Sequence, residues 1–182
     1  MINVLYLLDE VGNRKGDFSF IDSSLASRSQ AAVNKGVDAI LNSQVVANGK
    51  LTAWGQQHDS KTLKPAGARI YEVPSLSAGE STSIVKFLKT RPSNSKITAS
   101  INAAQAWFED VKITGYRYER GNGDSKIIKD SSAPALWARF YEIGTNKPIF
   151  VGRDGVVKYD LTEIDKERRG GYAWYGNWPS KL

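Results

Sequence analysis

Three arginines each lie in an aromatic-rich, turn-bounded segment of the 182-residue sequence. The segments are residues 68–72 (ARIYE) around Arg69, residues 137–142 (WARFYE) around Arg139 and residues 152–155 (GRDG) around Arg153. An arginine among large apolar side chains loses hydration, and this loss is costly unless the guanidinium meets an anion. The three positions together predict a site for a polyanionic ligand.

An ordinary structural role is the alternative for each of these arginines. From the residues alone, a salt bridge between Arg69 and Glu72 is favoured, because most arginines are paired or solvated. Arg139 and Arg153 also have an acidic residue close by in the sequence. For these two arginines the residues leave the functional and structural interpretations equally open.

Other residues that could do chemistry receive weaker interpretations. Arg168 and Arg169 could bind a carboxylate, but they end a predicted helix, where positive charge complements the helix dipole, so a structural role is favoured for both. His58 is the only histidine, and a lone histidine is more often a polar loop or core residue than a catalytic one. Trp107 and Phe108 lie on one stripe of a predicted helix, which favours a place in the core.

Length and composition limit the class of protein. With 41% hydrophobic residues, residues 1–182 are expected to fold as a single domain. The 25 basic and 19 acidic residues leave a net charge of +6 without basic runs, so no nucleic-acid partner is expected. The absence of cysteine excludes disulfides and cysteine-based zinc sites. No apolar run approaches the ~20 residues of a membrane span, so no membrane partner is expected.

Hydrophobic periodicity predicts more helix than strand. Helices are predicted over residues 1–11, over residues 23–46 with Asp22 or Ser23 as the N-cap, and over residues 95–111. A capping box of Ser77 and Glu80 predicts a further helix that ends at Arg91–Pro92. A short charged helix is predicted over residues 161–169, capped by Asp160 with Glu163.

The remaining segments are predicted to be short strands, loops and an aromatic tail. Short strands are expected at residues 51–54, 137–143 and 149–151, and a surface loop or hairpin at residues 115–130. The tail, residues 170–179, is dense in aromatic residues and glycine. Flat rings on such a backbone suit stacking on carbohydrate as well as packing against a neighbouring surface.

An ordered set of motifs runs across nearly the whole chain. The motifs are Trp54, residues 57–59 (QHD), 68–77 (ARIYEVPSLS), 80–81 (ES), 106–108 (AWF), 137–142 (WARFYE), 145–146 (TN), 152–155 (GRDG) and 167–176 (ERRGGYAWYG). Together they resemble the pectate lyases of polysaccharide lyase family 10. The resemblance implies a mainly α fold, an incomplete α/α toroid with short β segments. It also implies calcium-assisted cleavage of polygalacturonate by β-elimination.

The resemblance implies roles for individual residues. Arg69 matches the arginine that acts as Brønsted base, and Arg139 and Arg153 match arginines that hold substrate carboxylates. The candidate cleft-forming residues are Gln57, His58, Asp59 and the run 172–175, in which Tyr172 and Trp174 are candidate substrate contacts. Neighbouring cations and removal from water would lower the pKa of Arg69, as a base requires.

The same resemblance implies how much of the family's domain is present. The chain corresponds to the C-terminal portion of the catalytic domain, and the acidic Ca²⁺ ligands are expected upstream of Met1. Polygalacturonate or pectate oligosaccharides are the expected partners, and a secreted or periplasmic location is expected. The alternative is an inactive, truncated form that binds anionic glycan without cleaving it. The oligomeric state is left open.

Overall fold

The computed structural model describes residues 1–182, and four of its five α-helices lie in the first 110 residues. The helices are α1 (Ile2–Gly12), α2 (Ser23–Ser43), α3 (Ala78–Lys89), α4 (Ser95–Asp110) and α5 (Lys166–Gly171). Short 3₁₀ helices cover Gly16–Phe18, Leu161–Glu163 and Trp178–Lys181. None of the helices combines the length and apolarity that crossing a membrane requires.

The strands form five separate antiparallel pairs rather than one sheet. The pairs are β1 (Val46–Ala47) with β2 (Lys50–Leu51), β3 (Leu76–Ser77) with β7 (Phe140–Tyr141), β4 (Tyr116–Gly121) with β5 (Asp124–Lys129), β6 (Trp137–Ala138) with β10 (Tyr175–Gly176), and β8 (Phe150–Val151) with β9 (Val157–Lys158). The hairpin expected within residues 115–130 is therefore present as β4–β5.

The predicted mainly α toroid is wrong. Helix accounts for 42% of the residues and strand for 18%, and the five helices are accompanied only by short sheets. The physical reason lies after residue 110, where hairpins and turns replace amphipathic helices. α1 packs on α2, and α3 packs on both α1 and α4. The short strands of the second half, rather than further helical hairpins, complete the core.

Helix caps agree only in part with the prediction. The Asp22 carboxylate accepts the N–H of Leu25 at 2.9 Å and caps α2 as expected. Ser77 makes no capping hydrogen bond; its hydroxyl donates to the Glu80 carboxylate instead. The predicted capping box is therefore wrong at α3, because Glu80 is turned towards Arg139.

The charged helix predicted over residues 161–169 is two shorter elements. Asp160 and Glu163 form the expected capping box, but it opens only the 3₁₀ helix Leu161–Glu163. α5 starts afresh at Lys166, and the Asp165 carboxylate accepts the N–H of Arg168 at 2.8 Å. This second start fixes where Arg168 lies.

One hydrophobic core joins the helical half to the strand half. Its largest fully buried side chains are Trp54, Trp174, Tyr141, Phe87 and Phe150. Trp107 and Phe108 also lie in this core, as predicted. The packing of helix side chains against Tyr141 and Trp174 holds the second half of the chain in place.

The tip of the β4–β5 hairpin lies directly against the end of α5. A Cβ atom added to Gly170 would approach the Gly123 carbonyl oxygen to 2.1 Å, whereas one added to Gly171 meets nothing within 4 Å. Only glycine therefore allows the hairpin to approach α5 this closely at residue 170.

Gly170→Ala should lower the free energy of unfolding by about 1–3 kcal/mol, because the new methyl group forces backbone apart. Gly171→Ala is the matched control, and its free energy of unfolding should change by less than about 1 kcal/mol. Urea unfolding of both variants measures the difference. Equal stability of the two variants would contradict the close approach.

Candidate functional site

Arg139 lies where one extended segment changes its strand partner. Ala138 pairs with Tyr175 in the β6–β10 sheet, and Phe140 pairs with Ser77 in the β3–β7 sheet. Between them, the Arg139 N–H donates to the Trp174 carbonyl at 2.7 Å, and the Arg139 carbonyl accepts the N–H of Ala78 at 3.1 Å. The backbone of Arg139 is thus fixed from both sides.

The side chain of Arg139 faces a carboxylate and aromatic rings. Its Nη2 donates to Glu80 Oε1 at 2.6 Å, while its buried Nε has no hydrogen-bond partner. The guanidinium carbon lies 5.0 Å from the Tyr172 ring centroid and 5.7 Å from that of Trp178. Glu80 lies in the first turn of α3, where the helix dipole also favours its negative charge.

A cleft of about 620 Å³ opens beside Arg139. Among its lining residues are Glu80, Trp178, His58 and Asp59. The cleft has the size of a small-molecule site and combines an arginine with an aromatic ring. Arg69 and Arg153 do not line it.

Arg69 is paired with Glu72 in a tight turn. Its Nε and Nη2 donate to the two carboxylate oxygens of Glu72 at 2.9 and 2.5 Å, and its side chain is 68% exposed. The hydrogen bonds and charge of Glu72 raise the pKa of Arg69 above its usual value. The expected lowering of this pKa is therefore wrong for the arrangement described, in which Arg69 is held protonated.

Arg153 follows β8 in the turn Gly152–Gly155 and is also paired. Its Nε and Nη2 donate to Glu167 at 3.0 and 2.8 Å, and Glu167 raises the pKa of Arg153. A Cβ atom on Gly155 would come within 2.6 Å of Ile70, so this turn packs against the residue after Arg69. The two turns are adjacent for this reason.

Arg168 differs from the other arginines because no acceptor holds its guanidinium. The residue is 9% exposed, and its buried Nε has no hydrogen-bond partner. Three rings surround it, with centroid distances of 4.4 Å to Tyr71, 4.3 Å to Tyr172 and 5.0 Å to Trp174. Burial lowers the pKa of Arg168, as expected for a cation removed from water.

Two tyrosines bring the four arginines together. Arg69, Arg153 and Arg168 lie over the ring of Tyr71, and Arg139 and Arg168 lie over the ring of Tyr172. We call these six residues the arginine–tyrosine cluster. Cation–π contacts stabilise a positive charge most strongly where it is buried, as at Arg168. The cluster offers several cations to an approaching anion within one surface.

The predicted residues of the 57–59 segment serve the local turn. His58 Nδ1 lies 2.8 Å from the Leu63 carbonyl, and His58 Nε2 accepts the N–H of Gly55 at 3.0 Å, so both ring nitrogens are occupied. Asp59 accepts the backbone N–H of Thr62 at 2.7 Å, which lowers its pKa. Both side chains shape the cleft wall through these contacts.

The two predicted tail aromatics take different positions. Tyr172 is half-buried, stacks on Phe140 at 6.2 Å and presents a face to the arginines. Trp174 is 1% exposed and packs against Phe140 and Phe150. Trp174 therefore supports the arginine–tyrosine cluster from within the core rather than presenting a ring for stacking.

Residues 1–182 contain no group of three or more acidic or histidine side chains that could hold a metal ion. The carboxylates of the cluster region, Glu72, Glu80 and Glu167, each pair with an arginine. Ca²⁺ requires several oxygen ligands. These carboxylates do not fit a calcium site, because each is already neutralised by a guanidinium.

Sequence reasoning ranked a structural role of Arg168 above carboxylate binding, and it missed Tyr71 and Glu80 as parts of the site. Arg168 and Arg169 look equivalent in the sequence, yet Arg169 pairs with Asp124 at 2.5 Å whereas Arg168 points to the aromatic rings. The signal that would have helped was the aromatic content around Arg168, since Tyr172 and Trp174 follow it by four and six residues. Nothing in the sequence indicates that Glu80 meets Arg139.

Comparison with known proteins shows which protein family the chain resembles. The profile of the pectic acid lyase family matches residues 1–182. Among solved structures, a family 10 polysaccharide lyase from Cellvibrio cellulosa is 35% identical, with a TM-score of 0.93 over 98% of this chain and 57% of that chain. A mutant family 10 polysaccharide lyase from the same organism, in complex with trigalacturonic acid, matches with the same values.

The chain therefore belongs to the pectic acid lyase family, which confirms the family predicted from its motifs. It spans 57% of the length of the solved structures that it matches. A comparison with curated protein sequences gave no match.

Replacing Arg168 by methionine should leave the free energy of unfolding within about 1 kcal/mol of wild type, because the lost cation–π contacts are offset by the desolvation cost that is removed. Arg169→Met should destabilise the protein more, since it leaves Asp124 without its partner. Urea unfolding compares the two variants. A larger loss in Arg168→Met would show that Arg168 is a structural residue.

Proposed function

We propose that this chain is part of a pectate lyase and that its arginine–tyrosine cluster binds the carboxylates of polygalacturonate. The observation that carries the proposal is Arg168, a buried cation with no acceptor, held between Tyr71 and Tyr172. Such a charge is costly without an anion. The complex of the similar family 10 enzyme with trigalacturonic acid indicates which anion suits the site.

The other three arginines of the cluster are paired with glutamates, and a substrate carboxylate can take the place of a glutamate carboxylate. Arg69, Arg139 and Arg153 each face a protein glutamate, so four guanidinium groups meet three carboxylates in the cluster region. A uronic acid unit presents the same chemical group as glutamate. Substrate can therefore bind Arg168 directly and replace a glutamate at an exposed arginine such as Arg69 or Arg153.

In cleavage by elimination, Arg69 would act as the base. In a galacturonan, C5 of one unit loses its proton, the electron pair forms a C4–C5 double bond, and the C4–O bond breaks. The glycosidic oxygen leaves on C1 of the preceding sugar, which takes up a proton and becomes a new reducing end. Arg139 and Arg153 would stabilise the negative charge that develops on the carboxylate. Arg69 would remove the proton, and it must first leave Glu72, which now keeps it protonated.

Ca²⁺ remains a proposed requirement of cleavage, although the carboxylates of residues 1–182 do not supply its ligands. A bound cation would neutralise the substrate carboxylate and so make the proton easier to remove. No step of the present proposal is assigned to it. Cleavage assays with and without a chelator test the requirement.

Binding without cleavage is a second candidate function. The pairing of Arg69 with Glu72 favours it, because a protonated guanidinium cannot accept a proton. In this function the cluster would hold anionic glycan and release it unchanged. The product of the reaction distinguishes the two functions.

Trigalacturonic acid should bind the wild-type chain, and Arg168→Ala or Arg139→Ala should weaken binding by about 10- to 100-fold, the loss of a charge-assisted contact. Isothermal titration calorimetry measures the affinities. Arg14→Ala is the matched control, since Arg14 contacts only the Ser19 carbonyl, and it should bind as wild type does. Equal affinity of wild type and Arg168→Ala would contradict the carboxylate site.

Cleavage should produce an unsaturated sugar that absorbs in the ultraviolet, and Arg69→Ala should abolish it while retaining the fold. Wild-type chain that binds trigalacturonic acid but releases no such product from polygalacturonate, with calcium present, would leave binding as the function. Circular dichroism and thermal unfolding verify that the variant is folded.

Glu72→Gln should raise kcat/KM at each pH tested, because loss of the carboxylate lowers the pKa of Arg69 and increases its deprotonated fraction. The amide oxygen can still accept the Arg69 N–H, which the carboxylate accepts at 3.1 Å. Glu109→Gln is the control, since Glu109 pairs only with Lys112, and its kcat/KM should stay at the wild-type value. A folded Glu72→Gln variant no faster than wild type would argue against Arg69 as the base.

A further inference from the structure

The β4–β5 hairpin lies directly behind the segment that carries Arg168 and Tyr172. Asp124, at the start of β5, accepts two hydrogen bonds from Arg169, at 2.5 Å from Nε and 2.9 Å from Nη2. The next hairpin residue, Ser125, is buried and donates to the Arg169 carbonyl at 2.7 Å. The residue that follows Arg168 is thus held by both its side chain and its backbone.

Further contacts from β4 continue along this segment. The Tyr118 hydroxyl donates to the Tyr172 carbonyl at 3.2 Å and accepts the N–H of Trp174 at 3.3 Å. Arg120 donates to the Gly170 carbonyl at 3.1 Å. The hairpin therefore contacts the backbone from Arg169 to Trp174 and makes no hydrogen bond to the Arg168 side chain.

α5 cannot hold this geometry by itself. It has six residues and ends in two glycines, and isolated helices of this length are unstable in water. The rings around Arg168 provide contact but no directional hydrogen bond. The Arg168 N–H and carbonyl are bonded by Asp165 and by the Trp174 indole N–H, and the hairpin's hydrogen bonds to the neighbouring backbone complete the support of Arg168.

We propose that the β4–β5 hairpin is a positioning element, in which Asp124 and Tyr118 hold the 168–174 segment so that Arg168 and Tyr172 face the ligand. Neither residue contacts the ligand. Asp124 acts through Arg169, and Tyr118 acts through the backbone of Tyr172 and Trp174. The effect on ligand binding rests on the proposed function, whereas the effect on the orientation of Arg168 does not.

Arginine side-chain NMR tests the orientation without ligand. The Nε–H signal of Arg168, assigned by its loss in Arg168→Lys, should be shifted by the nearby rings of Tyr71 and Tyr172. In Asp124→Ala and Tyr118→Phe, the chemical shift of this signal should move towards that of a free arginine. In the conservative variant Asp124→Glu, it should stay closer to the wild-type value. Glu119→Gln is the matched control, since Glu119 pairs only with Arg117 and Lys126 of the same hairpin.

Trigalacturonic acid affinity tests the consequence. Asp124→Ala should weaken binding about 10-fold, because small misplacement of a binding group costs much of its contribution. In an Arg168→Ala background the same substitution should change the affinity less than about 2-fold, since residues that act through one another are not additive. A merely structural role would lower affinity equally in both backgrounds.

The outcomes separate the two proposals. An Arg168 signal that stays at its wild-type position in folded Asp124→Ala and Tyr118→Phe overturns the positioning role, whatever the ligand does. Wild-type chain that fails to bind trigalacturonic acid overturns the proposed function, and the NMR comparison still decides the role of the hairpin. Full additivity of Asp124→Ala and Arg168→Ala also counts against positioning.

Discussion

The contact of the Arg168 guanidinium with the faces of Tyr71 and Tyr172 is the constraint on which the site depends. A buried cation without an acceptor tolerates only surroundings that are polarisable and closely packed. The loop of Tyr71, helix α5 and the aromatic tail must therefore meet at one place. Arg69, Arg153 and Arg139 then reach the same two rings from other segments. Two rings thus gather four cations from separate segments of the chain.

The glutamates divide the arginines into two kinds. Glu72 and Glu167 have lowered pKa values because Arg69 and Arg153 donate hydrogen bonds to them, and those arginines are held in fixed, charged pairs. Arg168 has no such partner. In the proposed function, the paired arginines would bind substrate by exchanging one carboxylate for another, whereas Arg168 would bind it directly. Successive carboxylates on one polyanion could then meet both kinds of arginine.

The sequence predicted the parts of the molecule that depend on local pattern. The four longer helices and the Asp22 cap follow from periodicity and cap chemistry, and the resemblance of motifs identified the family. The toroid and the Ser77 capping box were wrong, because long-range pairing decided them. β7 pairs with β3, and Glu80 meets Arg139 across 59 residues. Arg168 and Arg169 are neighbours in the sequence, yet Arg169 pairs with Asp124 of the distant hairpin, whereas Arg168 lies among aromatic rings.

The segment around Arg139 pairs first with β10 and then with β3, and this arrangement affects the order in which the strands can pair during folding. Its N–H and carbonyl belong to sheets whose other strands lie near residue 76 and near residue 175. Pairings this far apart in the sequence form slowly, because the intervening loops must first be closed. During synthesis, α1–α4 leave the ribosome before the segment 172–176, which pairs with the Arg139 strand and contributes rings around Arg168. The surroundings of both arginines are therefore completed only after the chain has been made as far as residue 176.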